Sequence, residues 1–294
     1  MAQVDLALKN KVLVLGSSGL VGHQVYNYLE VNSDFVLSNI SYKRKLNEKT
    51  LLLDARNEVS FFNQIRKIRP NYIVNCIGIL ISESKKDHGK AAFLNAYLPH
   101  RLVYLANEIN SKLIHMSTDS VFSGNKKSPY LESDEFDGKD MYAKTKGLGE
   151  VINENHLTIR TSVVGPEITN RSEELFNWFM NQSGVIEGFT KAIWSGVTTI
   201  ELAKAIKWFI ENQTTGLYQL TNGKSISKYD LLHLFKKYTK KNIEIQKVNG
   251  TDTSKSFLDT RKEINYLLPE YNQMIREMVI SIKNNRILYK HYNL

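Results

Sequence analysis

A single cysteine, Cys76, stands in 294 residues. Intrachain disulfides are therefore excluded, and a cysteine-based zinc site is disfavoured. Long apolar runs are missing as well: nothing approaches the roughly 20 residues needed to span a bilayer. The N-terminal segment lacks the charged, apolar and small-residue succession of a secretory signal. The expectation is a cytoplasmic protein with no membrane partner. Metal-ligand spacing is also lacking, because His88, His100 and His115 stand at no interval that pairs them with one another or with a carboxylate, and no metal is expected. Negative charge is scarce. Lysine and arginine number 39 against 30 acidic residues, a net charge of +9, which suits anionic ligands such as nucleotides and sugar diphosphates. The short basic runs at Lys43-Arg44-Lys45, Lys126-Lys127 and 236–241 show no aromatic stacking pattern and no nucleic-acid motif accompanies them, which argues against nucleic acid.

After a short polar lead, residues 11–15 form an apolar run of the kind that makes a strand buried on both faces. The run enters Gly16-Ser17-Ser18-Gly19-Leu20-Val21-Gly22, then a helical pattern carrying Leu20, Val21, Val25, Tyr28 and Leu29. Strand, glycine-rich turn and helix are the context a dinucleotide fingerprint requires, although the spacing is G-x-x-G-x-x-G. Gly16 suits the tight turn, Gly19 lets the backbone approach a pyrophosphate, and Gly22 lets helix and strand pack closely. A second strand, 35–40, ends at Ser41-Tyr42-Lys43-Arg44. No acid stands there for ribose hydroxyls, so Lys43 and Arg44 favour NADP(H) over NAD(H).

Strands are further expected at 51–54, 72–75, 112–116 and 157–160, with helices at 59–68, about 93–109 and 142 to about 153. This alternation predicts an α/β fold, a doubly wound parallel (Rossmann) sheet with ligands at the carboxyl ends of its strands. Gly16, Asp54, Asn75 and Thr118 fall at such ends. Asp54 is read as facing the adenine edge with Ala55 beside it. Cys76, a small buried thiol, and Ile77 and Gly78 line the same cleft, as does Asn95. Beyond Pro166 the alternation weakens. The expected division is a dinucleotide-binding domain over 1–165 plus about 195–220, and a smaller C-terminal α/β substrate-binding lobe over 166–194 and 221–294.

Among the 15 tyrosines, Tyr142 alone has lysine four residues on. Positions i and i+4 share a helix face, so Lys146 would stand beside the Tyr142 phenol. A nearby cation lowers a tyrosine pKa and makes Tyr142 a candidate general acid or base.

Taken with Ser117-Thr118-Asp119, Tyr142-Ala-Lys-Thr-Lys146 and the glycine loop, the chain resembles the extended short-chain dehydrogenase/reductases. It is most similar to their dTDP-4-dehydrorhamnose reductase-like branch. Thr118 and Tyr142 stand 24 residues apart, as in that branch, and Val121-Phe122-Ser123-Gly124, Arg160-Thr161-Ser162 and the stretch 195–199 match it too. The resemblance implies a catalytic trio: Thr118 bonds the substrate oxygen, Tyr142 donates the proton, and Lys146 holds the nicotinamide ribose while lowering the tyrosine pKa. It implies an NAD(P)H-dependent reductase of a nucleotide-linked 4-keto-6-deoxy sugar in surface-polysaccharide biosynthesis. Asp119, Val121 and Phe122 would line the sugar. Val163 stands where rhamnose-pathway reductases carry an aromatic residue, which opens UDP-linked N-acetylated sugars as substrates. Ser120 stands where related dehydratases carry a glutamate, which disfavours dehydration.

Two residues keep two readings each. Trp194 either contacts the substrate or fills a core between the lobes, and Arg261 either grips the diphosphate or begins a helix capped by Asp259 or Thr260. Competing functions are an epimerase that retains NAD and a catalytically silent nucleotide-binding regulatory subunit. A nucleotide sugar is the expected partner, and a homodimer is compatible with the sequence.

Overall fold

The computed structural model describes residues 9–170 and 173–294. The eight-residue lead and residues 171 and 172 of the expected lobe lie outside the described residues.

Every position from Val12 to Leu15 is buried, as a strand covered on both faces requires. The strands β1 (Lys11–Leu15), β2 (Val36–Ser41), β3 (Thr50–Leu52), β4 (Tyr72–Asn75), β5 (Lys112–Thr118) and β6 (Leu157–Thr161) join the edge strand Gly216–Gln219 in one sheet. Across it the order is Gly216–Gln219, β6, β5, β4, β1, β2, β3, and every pairing is parallel. The chain runs outward from β1 to β3 and then crosses back to β4, so the winding reverses between β1 and β4. That reversal opens a crevice beyond their carboxyl ends. The doubly wound parallel sheet expected from the sequence is the fold observed.

One face of the sheet is covered by α1 (Leu20–Asn32) and the helix Thr199–Glu211, through Val25, Leu29, Leu202 and Ile206. The other is covered by α2 (Glu58–Ile68) and the helix Leu98–Glu108, through Phe61, Ile65 and Leu102. Beyond residue 165 two small sheets form. Val185–Phe189 pairs in parallel with Glu244–Val248, while Ala192–Trp194 pairs with Ile226–Ser227 and Thr253–Ser254. Their apolar residues share one cluster with α1 and the helix Tyr271–Asn284, so sheet and lobe are joined by a continuous core.

Two elements differ from expectation near the crevice. The stretch before Leu98 holds the short helices Ile81–Lys86 and His88–Ala91 and then a π-helical turn, Ala92–Tyr97. The Tyr142 helix spans Met141–Leu148 and stops well short of Asn153. Gly149 explains the stop: a Cβ there would overlap the Asn95 carbonyl oxygen, so only glycine lets the chain turn against the π-helical turn and carry Glu150 inward.

The C-terminal segment closes α1 from behind. His23 Nδ1 lies 2.7 Å from the Gly19 carbonyl, which can only accept, so Nδ1 carries the proton and Nε2 accepts from the Tyr289 hydroxyl at 2.9 Å. Burial pushes this imidazole down from 6.5 to about 4. Between those values the unfolded chain binds a proton that the folded chain refuses, so stability should fall as pH drops through the window, by roughly 3 kcal/mol from this group. Urea midpoints measured from neutral pH downward should show it, with a shallower fall in His23→Gln.

Candidate active site

The glycine turn is built by exclusion. Gly16 holds φ +74°, and a Cβ on it would sit 2.9 Å from the Cys76 carbonyl oxygen. A Cβ on Gly22 would overlap the Gly16 carbonyl oxygen, so α1 can lie this close to β1 only without one. Gly19 is exposed and is the N-cap of α1 with no side-chain cap. The N–H groups of the first turn, flanked by half-buried Leu20 and Val21, form a cradle suited to a pyrophosphate. The serines brace this turn against β2: Ser17 Oγ donates to Asn39 Oδ1 at 2.8 Å, and the Ser18 and Ser41 hydroxyls bond each other.

At the ends of β2 and β3 the charge is cationic. Lys43 Nζ stands 4.9 Å from the Tyr42 ring centre, and neither Lys43 nor Arg44, both exposed, forms an ion pair with a described residue. Asp54 is engaged by Arg56, whose Nη2 donates to Oδ2 at 2.7 Å and to the Tyr42 hydroxyl at 3.1 Å. That hydrogen bond is the main reason the Asp54 carboxyl titrates below its usual range. Arg56 escaped the sequence reading, though it stands two residues beyond Asp54 with buried Ala55 between them.

At the β4 end, Asn75 Oδ1 accepts the Ile77 N–H at 3.1 Å, and burial pushes the half-buried Cys76 thiol up to about 12. Asn95 departs from its expected role. Its Oδ1 accepts the Ile79 N–H at 2.9 Å and its Nδ2 donates to the Ile79 carbonyl at 3.1 Å and to Thr145 Oγ1 at 3.3 Å. Fully buried, its amide braces the loop beyond Gly78 against the Tyr142 helix and is not free for a cofactor.

Thr118 ends β5 and turns the chain: its Oγ1 accepts the Ser120 N–H at 3.1 Å and donates to Asp119 Oδ1 at 3.2 Å. Opposite, Asp140 caps the Tyr142 helix by accepting the Ala143 N–H at 2.8 Å. The Thr118 hydroxyl acts on the Tyr142 phenol across the site, and buried Lys146 donates to the Met116 carbonyl at 2.6 Å. The trio expected from the sequence is therefore brought together. The direction of the tyrosine's shift is the reverse of expectation. Burial dominates and pushes the Tyr142 phenol up to about 12, Asp119, Asp140 and Glu173 add to it, and Thr118 opposes it. Lys146 is itself pulled down to about 8 by burial, with Glu150 opposing. The phenol is thus a proton donor at neutral pH.

Four expected substrate contacts are corrected. The Val121 and Phe122 side chains are wholly buried, Phe122 stacking on Tyr130 with ring centres 4.0 Å apart, so they form the wall behind the site. Trp194 takes the core reading, buried 5.6 Å from the Tyr271 ring centre. Arg261 spends its guanidinium on the Thr215 and Leu217 carbonyls and on Glu263, which ties it to the sheet's edge strand. Asp119 does face the lobe: Lys255 Nζ reaches the neighbouring Ser120 Oγ at 3.4 Å, and Asp119 and Lys255 both act on Lys228. Both lysines went unnoticed in the sequence, where nothing local distinguishes them from surface charges.

A glycine-loop Rossmann sheet whose carboxyl ends carry a threonine, a tyrosine and a lysine four residues on, beneath a C-terminal lobe, defines an extended short-chain dehydrogenase/reductase. Residues 10–268 match the family model described as the RmlD substrate binding domain, and the chain belongs to that family. The dTDP-4-dehydrorhamnose reductase of Shigella flexneri is 30% identical over 158 residues, 52% of this chain and 51% of that protein. The chain therefore spans about half the length of such curated relatives. The spore coat polysaccharide biosynthesis protein SpsK of Bacillus subtilis is 27% identical over 227 residues, 75% of this chain and 76% of that protein. Among solved structures, the dTDP-4-dehydrorhamnose reductase of Bacillus anthracis in complex with NADP superposes with a TM-score of 0.79 at 20% identity, covering 93% of this chain and 99% of that one. Among the described residues there is no helix long and apolar enough to cross a membrane and no cluster of three or more potential metal ligands.

Proposed function

We propose that the protein is an NADPH-dependent reductase of a nucleotide-linked 4-keto-6-deoxy sugar serving polysaccharide biosynthesis. The observation that carries this reading is the protonated, half-buried Tyr142 phenol facing Thr118, with the Lys146 ammonium on the next turn of the same helix. Bound in the glycine cradle, a nicotinamide dinucleotide would supply the hydride. Thr118 and Tyr142 orient the substrate carbonyl between their hydroxyls, and Tyr142 gives its proton to the oxygen as negative charge develops there. Lys146 holds the nicotinamide ribose and offsets the charge left on the phenol. Gly16, Gly19 and Gly22 shape the pyrophosphate seat, and Val163, in place of an aromatic residue, gives the sugar a different packing surface from that in rhamnose-pathway reductases. Burial and the walls of the lobe keep water from competing for the proton.

Cofactor choice follows the cation-rich ends of β2 and β3. Lys43 and Arg44 carry positive charge that no described residue pairs, suited to a 2′-phosphate, and Arg56 neutralises the Asp54 carboxylate. Replacing Lys43 and Arg44 together by alanine should weaken NADPH binding about tenfold and leave NADH binding nearly unchanged, as fluorescence titrations would show.

The function itself is tested by following nicotinamide absorbance with dTDP-, UDP- and GDP-linked 4-keto-6-deoxy sugars. Substrate-dependent oxidation of NADPH is the expected result. Silence across the panel from protein that binds the dinucleotide would count against a reductase, and tightly retained NAD would favour an epimerase.

A further inference from the structure

We infer that the buried pair of Glu150 and Arg160 is a positioning device for the active site, fixing the end of β5 that carries Thr118 and keeping Lys146 cationic. The inference rests on the reading of the crevice as a dinucleotide site. Both side chains are 1% exposed. Arg160 Nε and Nη2 donate to the two Glu150 oxygens at 2.9 and 2.7 Å, and Nη1 donates to Gln219 Oε1 at 3.0 Å. The guanidinium lies 5.1 Å from the Phe122 ring centre and 5.2 Å from that of Phe136.

Two lines lead from this pair. Toward the chemistry, the Ser117 hydroxyl donates to Glu150 Oε1 at 2.5 Å, while Lys146 holds the Met116 carbonyl, so the two residues before Thr118 are both pinned. Toward the lobe, Gln219 Nε2 donates to the Leu258 carbonyl at 2.7 Å and the Tyr130 carbonyl at 3.2 Å. Leu258 N–H in turn donates to the Tyr130 carbonyl at 3.0 Å. An unbroken run of bonds thus links the lobe to the catalytic threonine.

Stability alone does not account for the pair. Well-packed apolar residues commonly serve a buried position as well or better, because both charges must shed water. A buried ammonium, however, loses its proton unless a negative charge faces it. Lys146 is faced by Cys76 at the end of β4, His115 on β5, Tyr142 on its own helix, and Glu150, with Arg160 on β6 behind Glu150. Burial keeps Cys76 a thiol, Tyr142 a phenol and His115 neutral, which leaves the Glu150 carboxylate as the negative charge.

The test is NADPH affinity, read by fluorescence from neutral to alkaline pH, for the wild type and Glu150→Gln. Wild-type affinity should fall as pH rises through about 8, where burial sets Lys146. In Glu150→Gln the fall should come about one pH unit earlier. If that variant does not fold, Glu150→Gln/Arg160→Met makes the same comparison without an unpaired buried charge. Glu150→Asp, which keeps the carboxylate, should restore most of the wild-type profile. An unmoved pH limb in folded variants, with only a lower melting temperature, would make the pair structural and overturn the inference alone. Wild-type protein that binds neither NADPH nor NADH would overturn the cofactor reading and this inference with it.

Discussion

Replacing Tyr142 with phenylalanine should cut turnover by roughly a hundred- to ten-thousand-fold while leaving NADPH affinity and thermal stability close to wild type. The change removes one hydroxyl from a half-buried ring whose packing phenylalanine reproduces. What is lost is the hydroxyl proposed as the proton donor, which burial holds at about 12 and therefore fully protonated through neutral pH. Steady-state oxidation of NADPH with the preferred nucleotide sugar measures the first effect, and a dinucleotide titration measures the second. A variant that loses turnover only because it no longer binds the dinucleotide would reassign Tyr142 to binding.

Gly22→Ala should act in the opposite sense, on binding and stability before chemistry. Its Cβ would overlap the Gly16 carbonyl oxygen, and both partners are backbone, so no side chain can swing aside. Either α1 moves off the turn or the turn deforms, at a cost of about 3 kcal/mol. A fall in melting temperature of about 5–10 °C is expected, with dinucleotide binding lost at concentrations that saturate the wild type. Gly19→Ala makes a useful contrast. The same added atom would lie 3.3 Å from the Gly16 carbonyl oxygen on an exposed surface, so it should fold normally and impair pyrophosphate approach alone.

Local signals made much of the molecule legible. The apolar run into Gly16 and the alternation of strands and helices are properties of neighbouring residues, and they carried the winding of the sheet and the placement of Thr118, Tyr142 and Lys146. What escaped was set by distant groups. The sign of the Tyr142 shift depends on how much of the lobe and the β5 turn cover the ring, which no spacing encodes. Asn95 sits where a cleft residue was expected, but the π-helical turn aims its amide at Ile79. Trp194 and Arg261 each allowed two readings because a tryptophan and an arginine serve a core or an edge strand as readily as a ligand. Arg160 was read only within the Arg160-Thr161-Ser162 stretch and Glu150 not at all, since their meeting depends on Gly149 ending the helix early. The helix Tyr271–Asn284 was missed although its apolar spacing is plain: Tyr271, Met274, Ile275, Met278, Val279 and Ile282 are all buried on one side.

The most direct test of the account is the fate of the hydride. NADPH carrying deuterium at the transferring position should be incubated with the preferred 4-keto sugar nucleotide and the product examined by NMR and mass spectrometry. One deuterium at C4 of the sugar, in amount equal to the NADPH oxidised and absent with Tyr142→Phe, is the result expected of a reductase in which Tyr142 supplies the proton. Sugar that changes configuration without gaining deuterium, while NADPH stays unoxidised, would contradict it.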